Sequence, residues 1–390
     1  MDKKFVMGIA AMAALTLVSC SSDDLDSFSD NSSKNEAISF DGYLGRSAVA
    51  VNGTRGSVET KEKLRTKGFG VFGKYDAGDN KTFDSNFFVN QKVTCSNSKW
   101  TYTPLKYWPT TGKIDFLAYA PHKEGQTLKE NTNTFDFTVE PEAANQIDLL
   151  WANATGQIKT SFEGTTKEKV KFLFKHALSR LGYTVKLSGN YTSDNATFTL
   201  KKITLAGSPD DETKGAFYKK GTIDLSKTDS KENLSKTNTT TGLWTAATSA
   251  DNKQYFKWFD ASYTVTSSEL KHPTNSDGVD YFDKDYLFVI PQDFSEKIEE
   301  AGQQKENPDK LYVIVEYDVT YTSTNTTIKN KVYKKLPIKF EQGKAYKLNL
   351  TIGLPIEFDI DVENVAGVED WDPKDGTPTD IDSWDDISRK

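Results

Sequence analysis

Gly68-Phe69-Gly70-Val71-Phe72-Gly73 is a literal G-x-G-x-x-G, the pattern that lets backbone N–H groups at a helix N-terminus cradle a pyrophosphate. That chemistry needs a strand before the glycines and a helix after them. Here a Lys-rich coil precedes and the turn-like KYDAGDNK follows, so the segment is expected to be a glycine-containing strand. The three histidines, His122, His176 and His272, stand far apart with no Cys or carboxylate at metal-ligand spacing. His176, between Phe174 and Leu178, reads as a packed or capping side chain. The acid pairs Glu299-Glu300 and Asp210-Asp211 lie in polar stretches and read as solvated loops, although a glycosidase pair is defined by its spacing in space. There is no G-x-S-x-G elbow and no P-loop lysine. Neither a cofactor nor a metal nor an enzymatic reaction is expected.

One cysteine does carry a chemical context. Lys3 and Lys4 precede an apolar run from Phe5 to Val18, too short to span a bilayer comfortably, and Leu17-Val18-Ser19-Cys20 resembles a bacterial lipobox. Residues 1–19 are thus expected to be a lipoprotein signal peptide and Cys20 the acylated first residue of the mature chain. Each buried CH2 of an acyl chain adds about 0.8 kcal/mol of membrane affinity, so several chains anchor a soluble body without a transmembrane helix. With Cys20 lipidated, Cys95 is the one remaining thiol and no intramolecular disulfide can form. The formal net charge of −7 offers no basic face for phosphate, which argues against a nucleic-acid partner.

Any function must therefore rest on the elements themselves. Residues 20–35, rich in Ser, Asp and Asn, read as a flexible tether. Beyond them short alternating segments recur between turn residues, among them Phe69 to Tyr75, Ile114 to Ala120, Thr134 to Val139, Val170 to Phe174, Arg180 to Leu187 and Tyr286 to Pro291. LYVIVEYDVTYTSTNTTIKNKVYKKLPI reads as a hairpin, two β-rich arms around a polar turn. Helices are expected only as short pieces near Ser295 to Gln303 and His176 to Arg180. The pattern predicts an all-β chain of antiparallel sandwiches. Its length favours two domains, 36–165 and 166–370, divided in the polar SFEGTTKEK, with region 206–280 forming long surface loops and 371–390 an acidic tail.

YWP at 107–109, KIDFLAYAP at 113–121, DLLWA at 148–152, FKHALSRL at 174–181, YLFVIPQ at 286–292 and GKAYKLNLTI at 343–352 occur in an order that resembles the fimbrillin family of Bacteroidales, the lipoprotein subunits of type V pili. The resemblance runs from about residue 36 to about 371. It implies two transthyretin-like β-sandwich domains in tandem. It also implies an outer-membrane lipoprotein at the cell surface that becomes part of a fimbrium after processing. Ser21-Ser22-Asp23-Asp24 likewise resembles the acidic signal of surface-exposed Bacteroidetes lipoproteins.

In that family an arginine- or trypsin-type protease removes the first strand, and a C-terminal strand of another subunit fills the groove, giving self-polymers or hetero-polymers. Carried onto this chain, the displaced strand is ISFDGYLGR, with Ile38, Phe40 and Leu44 on one parity and Gly42 between them. Arg55, in the loop-like NGTR, and Arg46 are the candidate processing sites; Arg65 is a third arginine in reach. PIEFDIDVE is the candidate donor, with Ile356, Phe358, Ile360 and Val362 on one face and acids on the other. It reads equally well as the last strand of the chain's own second domain. Anchor and tip subunits, and a ligand on a host or bacterial surface, stay open. The competing class is a surface glycan-binding lipoprotein, for which Trp100, Tyr107, Trp108, Trp244 and Trp258 would form an exposed stacking platform.

Overall fold

The structure is a computed structural model that describes residues 37–44, 59, 61–78, 83–159, 169–227, 240–241, 243–246, 250–273, 286–300, 302–354 and 356–364. Cys20, Arg46 and Arg55, the signal peptide, the tether and the acidic tail lie outside the described residues. The fold is all-β, as the alternating segments predict.

The first body begins with β1 (Phe40–Leu44), α1 (Lys61–Lys67), β2 (Phe69–Asp76), β3 (Phe83–Ser96), β4 (Lys99–Thr101) and β5 (Lys113–Ala120). After β6 (Thr134–Thr138) it is completed by β7 (Leu150–Gln157) and β8 (Val170–His176). Its seven-stranded sheet has the order β1-β8-β7-β5-β2-β3-β4, antiparallel except that β1 runs parallel to β8. Side-chain alternation explains the unbroken apolar run of IDFLAYA. Ile114, Phe116 and Ala118 enter the core of the first body, whereas Leu117 and Tyr119 enter the core of the second. The sheet is covered on both faces and is a wall shared by two cores.

The second body contains β9 (Ser179–Leu187), β10 (Ala196–Ala206), β11 (Phe217–Tyr218), β12 (Lys220–Asp224), β13 (Thr240–Thr241), β14 (Trp244–Ala246), β15 (Lys253–Gln254) and β16 (Phe256–Val265). It continues through β17 (Leu287–Val289), β18 (Gln292–Asp293), β19 (Lys297–Glu300), β20 (Gln303–Glu306), β21 (Tyr312–Tyr321), β22 (Thr326–Lys335), β23 (Lys339–Phe340), β24 (Ala345–Gly353) and β25 (Glu357–Asn364). Its two principal sheets, β16-β10-β21-β22 and β17-β9-β24-β25, enclose a common core of Tyr183, Val185, Phe198, Leu200, Tyr317 and Leu350. The predicted hairpin is present, β21 pairing β22 from Tyr312↔Lys335 to Tyr321↔Thr326.

Several expectations are corrected. β8 completes a ladder with β7 and β1, so a boundary near residue 165 falls within the first body, and the chain crosses over between His176 and Ser179. β6, expected in the first domain, pairs instead with β12 of the second body. Region 206–280 is not all surface loop: Phe256, Trp258, Phe259 and Val265 bury along the ten-residue β16. Neither expected helix forms. Ser179 opens a strand, and Lys297–Glu300 turns back on Gln303–Glu306 as a hairpin, with Gly302 at φ +76° providing the left-handed turn residue. Glu, Lys and Gln favour helices locally, but here sheet pairing prevails.

Candidate functional site

β1 occupies a groove whose walls come from β2, β3, β4 and the chain after it, β5 and β8. On one flank its backbone follows β8 in parallel register, Phe40↔Val170 through Leu44↔Phe174, with Val170 N–H donating to Ser39 O at 2.8 Å. Along the other flank the chain after β4 closes in. Ile38 N–H donates to Lys106 O at 2.8 Å, the Tyr102 hydroxyl donates to Ile38 O at 2.8 Å, and Ala37 bridges Tyr107. This strand is thus a buried insert between two walls.

Ile38, Phe40 and Leu44 face inward: Ile38 and Phe40 are 1% exposed and Leu44 6%. Phe40 is the hub, its ring 5.5 Å from Phe88, 5.3 Å from Phe116, 5.7 Å from Phe172 and 5.4 Å from Tyr102. At Gly42, between Phe40 and Leu44, the walls meet. A Cβ there would lie 2.9 Å from Phe69 Cε1, 3.4 Å from Trp100 Cζ2 and 3.5 Å from Phe174 Cε2. The groove therefore has a large pocket for Phe40 and no pocket at the next inward position.

The outward parity carries a charge that sequence reasoning missed. Asp41 is buried, accepts a hydrogen bond from the Tyr43 hydroxyl at 2.8 Å and has Lys169 Nζ at 3.9 Å. Burial raises its pKa above the usual carboxylate value, outweighing the opposite pull of Lys169. Glu59 was missed as well. Its N–H donates to Asp148 Oδ2 at 2.7 Å, its carboxylate pairs with Lys67 of α1, and Asp148 Oδ1 meets His176 Nδ1 at 2.9 Å. Burial also raises the Glu59 carboxyl, against the pull of Lys67. Since Glu59 lies four residues past Arg55, this network fixes the chain to the first body just beyond the segment holding both candidate cleavage sites. Arg65 sits half-buried on α1, whose Leu64 joins the first core.

The candidate donor is elsewhere in the molecule. β25 is the edge strand beside β24, paired from Tyr346↔Asn364 to Gly353↔Glu357. Ile360 is 9% exposed, Phe358 and Val362 are half-buried, and Ile356 is 65% exposed. Asp359, on its outer face, pairs with Lys334 of β22, whose hydrogen bond lowers its pKa. Among the described residues PIEFDIDVE is thus the last strand of its own body, paired along one edge.

The other motifs resolve simply. GFGVFG runs into β2, where a Cβ on Gly70 would fall 2.4 Å from Tyr119 Cε1, so that glycine admits a ring and no nucleotide. His176 is packed beside Asp148, and among the described residues no cluster of His, Cys, Asp and Glu is placed to hold a metal ion. Of the five aromatics proposed as a sugar platform, Trp100, Trp108, Trp244 and Trp258 are buried and Tyr107 alone is open, at 48%. That correction follows from their use as core: Trp108 packs edge-on to Phe116 and Trp258 to Tyr183.

Comparison with known proteins agrees with this architecture. The chain is 26% identical over 381 residues to the fimbrium subunit Fim1C of Phocaeicola vulgatus, an alignment covering 88% of this chain and 91% of that protein. Its fold is similar to the crystal structure of a fimbrial protein from Bacteroides vulgatus, with a TM-score of 0.54 and 19% identity across 85% of this chain and 99% of that one. A family model described as fimbrillin-like matches residues 54–371, most of the length, and the chain belongs to the fimbrillin-like family.

Proposed function

We propose that this chain is a structural subunit of a fimbrium. It is exported as an outer-membrane lipoprotein acylated at Cys20, trimmed at the cell surface after Arg55 or Arg46 by an arginine- or trypsin-type protease, and joined to other subunits by strand exchange, so contributing to adhesion. One observation carries the reading: β1 is a buried insert whose inward side chains fill an apolar groove, and the chain is fixed to the same body again at Glu59. A cut between Leu44 and Glu59 would separate the insert and leave the rest of the first body attached. Burial of Ile38, Phe40 and Leu44 is worth about 5–9 kcal/mol at ~1.5–3 kcal/mol per side chain. Main-chain pairing along β8, with further bonds at residues 37–38 on the other flank, adds register to any strand that replaces β1. Head-to-tail joining of this kind is heterologous, and repetition gives a filament.

β25 is the strand offered in return, since it is held on one edge and its apolar parity is only partly covered. An anchor or tip subunit would keep β1 in place. The glycan-binding alternative has lost its platform to the core.

Native trypsin treatment of the full chain tests the reading. The expected result is release of the segment ahead of Arg55 or Arg46, a lower melting temperature, and recovery of that temperature when a synthetic AISFDGYLG peptide is added. A chain that resists cleavage between residues 45 and 58, or a trimmed chain that does not respond to the peptide, would refute strand exchange.

A further inference from the structure

The inward face of β1 reads large, large, none, large: Ile38, Phe40, Gly42, Leu44. We infer that the vacated groove selects its occupant at the Gly42 position, and that it takes a glycine-bearing strand from a different polypeptide, not the C-terminal strand of a second copy of this chain. The inference rests on the strand-exchange reading above and narrows its partner.

The walls at Gly42 are set by packing. Phe69 Cε1 would meet an added Cβ at 2.9 Å, closer than real Cβ contacts come, with Trp100 and Phe174 behind it at 3.4 and 3.5 Å. Phe69 has little room to yield. It is fully buried, its ring 4.9 Å from Trp100, 5.7 Å from Phe172 and 5.1 Å from Phe174. Overpacking such a site forces rings off their preferred positions.

PIEFDIDVE does not meet this requirement. With Ile356 at the place of Ile38 and Phe358 at that of Phe40, Ile360 falls where only glycine fits. Moving the register by two residues puts Phe358 or Val362 there. No other part of the C-terminal sequence does better. Beyond Ile352 the glycines are Gly353, Gly367 and Gly376, and their neighbours two residues away are Thr351 and Pro355, Val365 and Glu369, and Lys374 and Pro378. In either strand direction these bring a polar residue or proline into the slot of Phe40 or Leu44. The small residues Ala366, Ser383 and Ser388 likewise bring Asn364, Asp385 or Asp386 into an apolar slot. The accepted strand therefore repeats the pattern of β1, large-x-aromatic-x-Gly-x-large. PIEFDIDVE serves a groove of another kind.

The experiment uses the full chain carrying a site-specific protease sequence in place of residues 52–56. After cleavage, displacement of a fluorescent AISFDGYLG peptide by unlabelled peptides is followed. AISFDGYLG itself should compete well. Its Gly42→Val form and PIEFDIDVE should each compete at least about fivefold less well, the ratio that corresponds to the low end of overpacking costs. PIEFDIDVE with Ile360→Gly should regain most of that loss. Equal competition by PIEFDIDVE and AISFDGYLG, or no gain from Ile360→Gly, would overturn the selectivity while leaving strand exchange standing. If AISFDGYLG itself does not bind, strand exchange falls and this inference with it.

Discussion

Phe40 and Asp41 are adjacent on β1 and act in opposite senses. Phe40 inserts into a cluster of four aromatic rings, whereas Asp41 carries a carboxyl that burial pushes toward the neutral form. The sign of the second effect is definite. A carboxyl whose folded pKa is raised stabilises the seated strand fully below its free value of 3.8, and that stabilisation is lost as pH rises through the folded pKa. At the neutral pH of a cell surface Asp41 thus works against its own strand, with Lys169 at 3.9 Å and Lys171 nearby offsetting part of the cost. Once the chain is cut, β1 should leave several-fold faster at pH 7 than at pH 4. Asp41→Asn should slow release at pH 7 and flatten the profile, as measured by loss of the labelled strand over time. Equal rates for wild type and Asp41→Asn at pH 7 would show that Lys169 and Tyr43 compensate the burial fully. Sequence alone offered no sign of this, because Asp41 occupies the parity expected to face solvent, and its burial comes from the surroundings of β8 and Lys169.

At the scale of elements, a strand could be read from sequence wherever its own alternation was strong. ISFDGYL, KIDFLAYA, the β21–β22 arms and PIEFDIDVE were all visible as strands, and Gly42 stood out only as a gap in the apolar parity. The elements that escaped reading depend on distant partners. β16 hides Phe256 and Trp258 among Lys and Asp residues and is buried through its pairing with β10. α1 is seven residues long and rests on Leu64, and the β19–β20 hairpin is written in helix-forming residues. The groove was legible as an idea but not as a set of walls, since Phe88, Phe116 and Phe172 come from separate strands, Tyr102 from the chain after β4, and no spacing links them. The same scale separates the two roles of β25. Ile356, just ahead of β25, is largely open and Ile360, in its middle, is buried, so the entry to the strand and its centre can be probed independently. Ile356→Asp should change unfolding free energy by less than about 0.5 kcal/mol. Ile360→Asp, which buries an unpaired carboxylate, should cost at least about 2 kcal/mol. Urea unfolding decides this. If Ile356→Asp proves as costly as Ile360→Asp, the open end of β25 is tied to the fold and is not free to serve a partner.

Across the whole molecule the shared sheet matters most. Leu117, Tyr119, Phe72 and Trp151 project from the first body's sheet into the second core, while Phe116, Ala118, Phe69 and Ala152 project the other way. A further link crosses the same boundary: Gln146 Oε1 accepts from Phe288 N–H at 2.7 Å. A loss in the first core should therefore be felt in the second. Phe40→Ala removes the hub of the groove and should cost about 3–5 kcal/mol, the range for a buried Phe replaced by Ala. Because the wall is common, unfolding should remain a single transition, and amide exchange at Val313 to Val319 in β21 should accelerate together with that at Phe116 to Ala118 in β5. A separate second transition at the wild-type midpoint would show that the two cores unfold independently despite their common sheet. Coupling has a consequence for assembly. On the proposed strand exchange, a chain that had lost β1 would be weakened throughout until another strand filled the groove, and the joint between subunits would restore the stability of the subunit that receives it.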